Sequence, residues 1–166
     1  MPGSDLEVVL TTAPPPVDAV VAEEDTYLVL SAELEVREPA VARLRVFHEA
    51  YAAEPVEPGN VVAREGIPLR FLAVVHDLSQ DPTWREDWVA AAIGAVLREA
   101  DSRRVRTLAM PPLGRVHGAL ARERLVVLLR AALQDRPPRN LEQLFLVVPE
   151  EEVTAFRDLL GSGLWR

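Results

Sequence analysis

The sequence predicts an α/β domain, a three-layer α/β/α arrangement around a mixed, largely parallel sheet. Three observations carry that expectation. Through the second half, apolar strand-like runs alternate with stretches of helical periodicity, and such alternation builds parallel sheets covered by helices. Leu69-Arg-Phe-Leu-Ala-Val-Val-His76 is nearly all apolar, as a strand buried on both faces should be. Arg106 to Leu120 reads as a buried strand, a loop with two glycines and the start of a long helix. A loop at the carboxyl end of a strand is where α/β proteins commonly hold ligands, and amides at a helix start favour an anion.

Taken in order, Asp5 to Leu10 is a first strand, and the prolines of Thr11-Thr-Ala-Pro-Pro-Pro16 force a turn. Val17-Asp-Ala-Val-Val21 is short and β-branched and reads as a buried strand, broken by Ala22-Glu23-Glu24-Asp25. Thr26 to Ser31 is a second apolar run, a strand or the start of a buried segment. Val41, Leu44, Phe47, His48 and Tyr51 recur with helical spacing and predict a helix over residues 38–53, with Pro39 in its first turn. A loop over residues 54–59, a short strand at Asn60 to Arg64 and a turn at Glu65-Gly-Ile-Pro68 lead into the Leu69–His76 strand.

Beyond it, Asp77 to Pro82 is a polar loop, with Asp81 or Thr83 placed to cap the next helix. That helix carries Trp84, Trp88, Ala91, Ala92 and Ala95 on one stripe and runs to about Ala100. A strand follows at Val105 to Met110, then a helix from Leu120 to Leu133, apolar on most faces and so expected to be largely buried. Leu144 to Val148 is another strand. Pro149-Glu-Glu-Glu152 opens a last helix, where carboxylates suit the dipole; it bears Val153, Phe156, Leu159 and Leu160 and stops at Gly161.

The 166 residues suffice for one domain with a full core, and one domain over 1–166 is expected. At 49% hydrophobic and 27% charged, the composition is that of a globular chain. No apolar run is long enough for a membrane span, so no membrane partner is expected. Without cysteine there is neither a disulfide nor a thiolate nucleophile nor a thiolate metal site. The start of the chain carries no basic region or apolar core of a secretory signal, and a cytoplasmic location is expected. The net charge of −8 argues against nucleic acid, whose phosphates supply most non-specific affinity. All 18 basic residues are arginine, and a local arginine could still hold one phosphate.

The order of these landmarks resembles the macro domain family. Val17-Asp-Ala-Val-Val21 is similar to the family's early Val-Asp-Ala-Ile-Val strand, and Leu72 to His76 to its central strand ending Ile-His. Pro112-Leu-Gly-Arg-Val-His-Gly118 is similar to its Pro-Leu-Gly-Thr-Gly-x-Gly phosphate loop, and Leu144 to Phe156 to its closing strand and helix. The likeness covers roughly residues 5–160 and implies ADP-ribose binding at the carboxyl edge of the sheet, with hydrolysis of ADP-ribosyl links in some members. The chain departs in three places. Leu10-Thr11-Thr12 stands where the family has Gly-Asp-Ile, Ala22-Glu23-Glu24-Asp25 where it has Asn-Ala-Ala-Asn, and Ser31 to Arg37 where it has a glycine-rich loop around the diphosphate.

The expected ligand site is therefore Leu113, Gly114, Arg115, Val116, His117 and Gly118, joined by Ala22 and Asp25 from the resemblance. Arg115 replaces a threonine and would either grip a phosphate or plug the cleft. His117 would donate to a phosphate, act as an acid or base, or sit at the surface. His76, at a strand end, suits a hydrogen-bonded structural role. Glu23, Glu24 and Asp25 form a carboxylate cluster that reads first as solvated surface and second as a cation or acid–base site. Trp84 and Trp88 read as packing, His48 as packing or surface, and Trp165 as exposed or in a contact. No residue set names a reaction, no metal spacing is present and no cofactor is expected. The functional expectation is a macro-like domain binding a nucleotide, an ADP-ribose-like ligand or another phosphorylated small molecule. The alternative is a domain that has lost its ligand and serves interaction or assembly, for example as a homodimer; an ADP-ribosyl hydrolase comes last.

Overall fold

The computed structural model describes residues 5–30 and 54–161 and the backbone of 164–165. Seven strands form one sheet: β1 (Leu6–Thr11), β2 (Ala19–Asp25), β3 (Val61–Arg64), β4 (Leu69–His76), β5 (Thr107–Met110), β6 (Gln143–Val147) and β7 (Leu164–Trp165), in the order β3-β4-β2-β5-β6-β1-β7. The four inner pairings are parallel, and β3 and β7 add antiparallel edges. The mixed, largely parallel α/β sheet is thus as the sequence predicts. Three described helices are α1 (Glu86–Ser102), α2 (Arg122–Asp135) and α3 (Val153–Leu160). α1 packs on β4 and on α2, and α2 on α3. The helix expected over residues 38–53, with Pro39, His48 and Tyr51, lies outside the described residues. Among those described, no helix is long and apolar enough to cross a membrane.

The core fills the space between sheet and helices. Phe71, Ala73 and Val75 of β4, Leu108 and Met110 of β5, and Leu144 and Leu146 of β6 meet Val89, Ile93 and Val96 of α1 and Leu125 and Leu129 of α2. At its start β2 is tied to β5 by Asp18, whose Oδ2 accepts from the amides of Arg106 (2.9 Å) and Thr107 (3.1 Å). That clamp fixes the register that later sets the carboxyl end of β2 beside the loop after β5.

Several elements differ from expectation for identifiable reasons. β2 does not break at Ala22; it continues through Asp25, because Glu23, Glu24 and Asp25 are buried and not solvated. Burial is tolerated where a polar group finds partners, and Glu23 and Asp25 find theirs in loop amides. The apolar run after it is a turn, not a strand. Asp25 takes the amides of Tyr27 (2.7 Å), Val29 (3.0 Å) and Leu30 (3.0 Å), and Leu28 adopts a left-handed φ of 60°. α1 starts later than its tryptophan stripe suggests: Arg85 is the N-cap residue, without a side-chain cap, and Trp84 lies outside the helix in a bridge with His76. α2 is buried on one side only, through Leu125, Val126, Leu129 and Leu133, while Val127 is exposed. Trp165 lies in β7, an edge strand with no signal in the sequence pattern; its backbone pairs with Leu6.

The starts of α1 and α2 are joined by Glu86 and Arg124. The hydrogen bond from the Arg124 guanidinium holds the Glu86 carboxyl below the ordinary carboxylate range; loss of solvent opposes it, and the charge of Arg124 adds a lesser lowering. A depressed folded pKa means stabilisation that is present at neutral pH and lost as the pH falls through that value. The pair is solvent-exposed, so the effect is small and screened by salt. Glu86→Gln is therefore expected to melt slightly below the wild type at pH 7. The difference should disappear in acid and in high salt, as thermal melting across pH would reveal.

Candidate functional site

The loop of residues 111–121 leaves β5 and enters α2, at the carboxyl edge of the sheet. Its shape is fixed by two backbone bonds, Arg115 N–H to the Pro112 carbonyl (3.0 Å) and Leu120 N–H to the Gly114 carbonyl (3.1 Å). Leu113 is a core residue. Gly114 has a φ of 83°, a conformation that glycine adopts without steric cost. A Cβ there would also lie 3.0 Å from both Leu120 Cδ2 and Val89 Cγ2. Gly118 is required for space: a Cβ would lie 2.5 Å from the Gly114 carbonyl oxygen and 2.9 Å from Trp84 Cδ1.

Beneath this loop sits Glu23, 3% exposed. The Gly114 amide donates to its Oε1 at 2.6 Å, and the His117 amide donates to Oε2 at 2.8 Å. His76 Nε2 reaches the same Oε2 at 2.6 Å, and His76 Nδ1 lies 2.9 Å from the Thr83 hydroxyl. The partners suggest the tautomer: with Nε2–H donating to the carboxylate, Nδ1 accepts from Thr83. Charge-assisted bonds of this length are the strong ones, and they compensate the loss of solvent around the carboxylate. The sequence Glu23–His76–Thr83 has the order of an acid–base–hydroxyl relay, but His76 is 1% exposed. Both of its ring nitrogens are engaged inside the protein, at the end of β4.

The remaining expected site residues are distributed as follows. Arg115 is committed within the protein. Its Nη1–H donates to the Leu120 carbonyl at 2.7 Å, and Nη2 pairs with Glu152, in the short turn before α3. Arg122 approaches the same Glu152 oxygen at 3.4 Å. Arg115 thus staples the loop to α3 from the far side. Val116 and the His117 side chain are exposed, and the His117 ring meets the His76 ring edge-on at 6.2 Å. The amides of Val116 and Gly118 have no hydrogen-bond partner among the described residues. Ala22 is half-buried within β2, paired with Leu72. Asp25 is fully buried and spends both carboxylate oxygens on the turn amides of residues 27–30. The segment from Ser31 to Arg37 lies outside the described residues.

The residue that sequence reasoning misplaced is Glu23. A signal existed: three acidic residues continue an apolar strand at the edge where a glycine loop must arrive, so at least one would be enclosed.

No family model matches the chain, and no curated protein sequence matches it. Solved structures do. It is similar to the macrodomain of Thermus aquaticus DarG, with a TM-score of 0.63, 18% identity, and 86% of this chain and 98% of that one covered. The fold is that of a macrodomain. The Oceanobacillus iheyensis macrodomain with ADP superposes with a TM-score of 0.66 at 14% identity, over 94% of this chain and 90% of that chain. The Trypanosoma brucei macrodomain in complex with ADP-ribose gives 0.66 at 15% identity, over 93% and 69%. At these identities the shared property is the macrodomain fold.

Proposed function

We propose that this chain is a macrodomain-fold module that has given up a diphosphate ligand at its glycine loop and works through protein contacts at the same rim. The observation that supports this is Glu23: its carboxylate already takes the Gly114 and His117 amides. Among macrodomain neighbours, one carries ADP and another ADP-ribose. A diphosphate entering the corresponding place here would meet spent donors and a buried carboxylate. Two unit charges about 4 Å apart repel by roughly 4 kcal/mol at the effective dielectric of a protein surface. Arg115 offers no compensation, being committed to Glu152 and Leu120.

The rim supports the second half of the reading. Tyr27, Leu78 and Val116 are exposed large apolar side chains, and they follow the carboxyl ends of β2, β4 and β5, three adjacent strands. Tyr27 and Leu78 line a groove of about 420 Å³ together with Val56 and Trp88. Single exposed apolar residues are ordinary, but a set gathered on one edge marks a contact surface.

Isothermal titration of the folded protein with ADP-ribose and with ADP tests the first half. No saturable heat is expected up to millimolar ligand, and micromolar binding of either would overturn the reading. Light scattering tests the second: mass should rise with protein concentration, and Leu78→Ser should weaken that rise. A chain that stays monomeric throughout removes the self-assembly form of the proposal.

A second reading keeps a phosphorylated small molecule on the outer side of the loop, and the unpartnered amides of Val116 and Gly118 favour it. Saturable binding in the same titration, unaffected by Arg115→Ala, would select it.

A further inference from the structure

We infer that the glycine loop is still an anion cradle, that its resident anion is the chain's own Glu23 carboxylate, and that removing that side chain opens a site for one small carboxylate such as acetate. The inference rests on the reading that Glu23 fills the ligand's place, and it specifies the chemistry of that place. Three donors converge on one group: Gly114 N–H at 2.6 Å, His117 N–H at 2.8 Å and His76 Nε2 at 2.6 Å. They arrive from two different segments, the loop after β5 and the end of β4. Convergent backbone amides in a turn are a common anion-binding device.

The cradle does not depend on Glu23 alone for its shape. The loop is closed by the bonds from Arg115 to Pro112 and from Leu120 to Gly114. Gly118 sits tight against the Gly114 carbonyl and Trp84. Arg115 ties the loop to Glu152, and Thr83 holds the far nitrogen of His76. Donors fixed from behind stay aimed when the group in front of them is removed. Glu23→Ala deletes a carboxymethyl group, and acetate has the same heavy atoms. The vacated space therefore matches that ion in volume, charge and acceptor geometry.

The second carboxylate of β2 makes the same use of a turn. Asp25 accepts the amides of Tyr27, Val29 and Leu30. The strand thus supplies one internal anion to the turn that follows it and another to the loop after β5. Asp25 lies within its own turn, so its removal collapses local structure and leaves no cradle. Glu23, reaching across to another segment, is the exchangeable one.

The test is chemical rescue. The melting temperature of Glu23→Ala is followed with sodium acetate and with sodium chloride at matched ionic strength. Acetate should raise it by several degrees along a saturable curve, chloride should not, and the wild type should show no difference between the two. The amide resonances of Gly114 and His117 should move with acetate and follow the same curve. Equal response to acetate and chloride in a folded variant overturns the inference. Should Glu23→Ala not fold, Glu23→Gln serves: it keeps one acceptor oxygen and turns an amino group toward the other donors. Hydrogen exchange at His117 or Gly114 should then speed up at least tenfold, and unchanged exchange at both overturns the inference. Neither arm involves nucleotide binding by the wild type, so the ADP-ribose titration can fail or succeed independently.

Discussion

Glu23→Ala should lower the stability of the protein by about 3–6 kcal/mol, more than any change at an exposed site. Two buried donors, the Gly114 amide and Nε2 of His76, and one part-buried donor, the His117 amide, lose their acceptor at once. Each buried polar group left unsatisfied costs roughly 1–3 kcal/mol, reduced where a water enters the vacated space. With a change of roughly 2–4 °C per kcal/mol for a chain of this size, the melting temperature should fall by about 6–24 °C. Thermal and urea melts measure this directly. A drop of less than about 1 kcal/mol would mean that the carboxylate is not what holds the loop. The loss is also a large share of the roughly 5–15 kcal/mol that keeps a domain folded. The charge at position 23 is therefore part of the architecture, and its replacement is felt at both ends of the contact.

Gly118→Ala is expected to cost about 2–3 kcal/mol by overpacking, though it adds one methyl group. Its Cβ would come within 2.5 Å of the Gly114 carbonyl oxygen and 2.9 Å of Trp84 Cδ1. That carbonyl cannot simply withdraw, because it accepts the Leu120 amide at 3.1 Å. Moving it also disturbs Gly114, whose amide is held by Glu23. Strain at Gly118 should thus weaken the grip on the carboxylate, and the two substitutions should combine to less than the sum of their separate effects. A double-mutant cycle by urea denaturation measures that coupling. Strict additivity would show that the loop and the carboxylate act independently.

Much of the frame was legible in the chain. Leu69–His76 is a strand with the limits its apolar run suggests, and β1, β3, β5 and β6 lie within a residue or two of their expected places; α3 begins only at Val153, after a tight turn at Glu150–Glu152. Gly161 ends α3 with a φ of 68°. Misreadings cluster where side chains replace backbone partners. β2 looked finished at Val21 because acidic residues usually face water, yet Glu23 and Asp25 are buried against amides. The apolar run from Thr26 suggests a strand or the start of a buried segment, yet Asp25 takes the amides that a neighbouring strand would need. Thr83 looked like a helix cap, yet its hydroxyl serves His76. Arg115 suits a phosphate grip or a plug in the cleft by its place in the loop; it is turned to Glu152.

The α/β class, the run of strands and helices and the glycine loop are readable in the chain, since they depend on periodicity and turn chemistry within a few residues. What the loop holds depends on segments far apart in the chain. Glu23 meets His76, Gly114 and His117 across 53, 91 and 94 residues. Contacts at that separation are set by sheet order and register, above all by β2 lying between β4 and β5. A carboxylate on that strand is surface or cradle floor according to which loop the register brings above it.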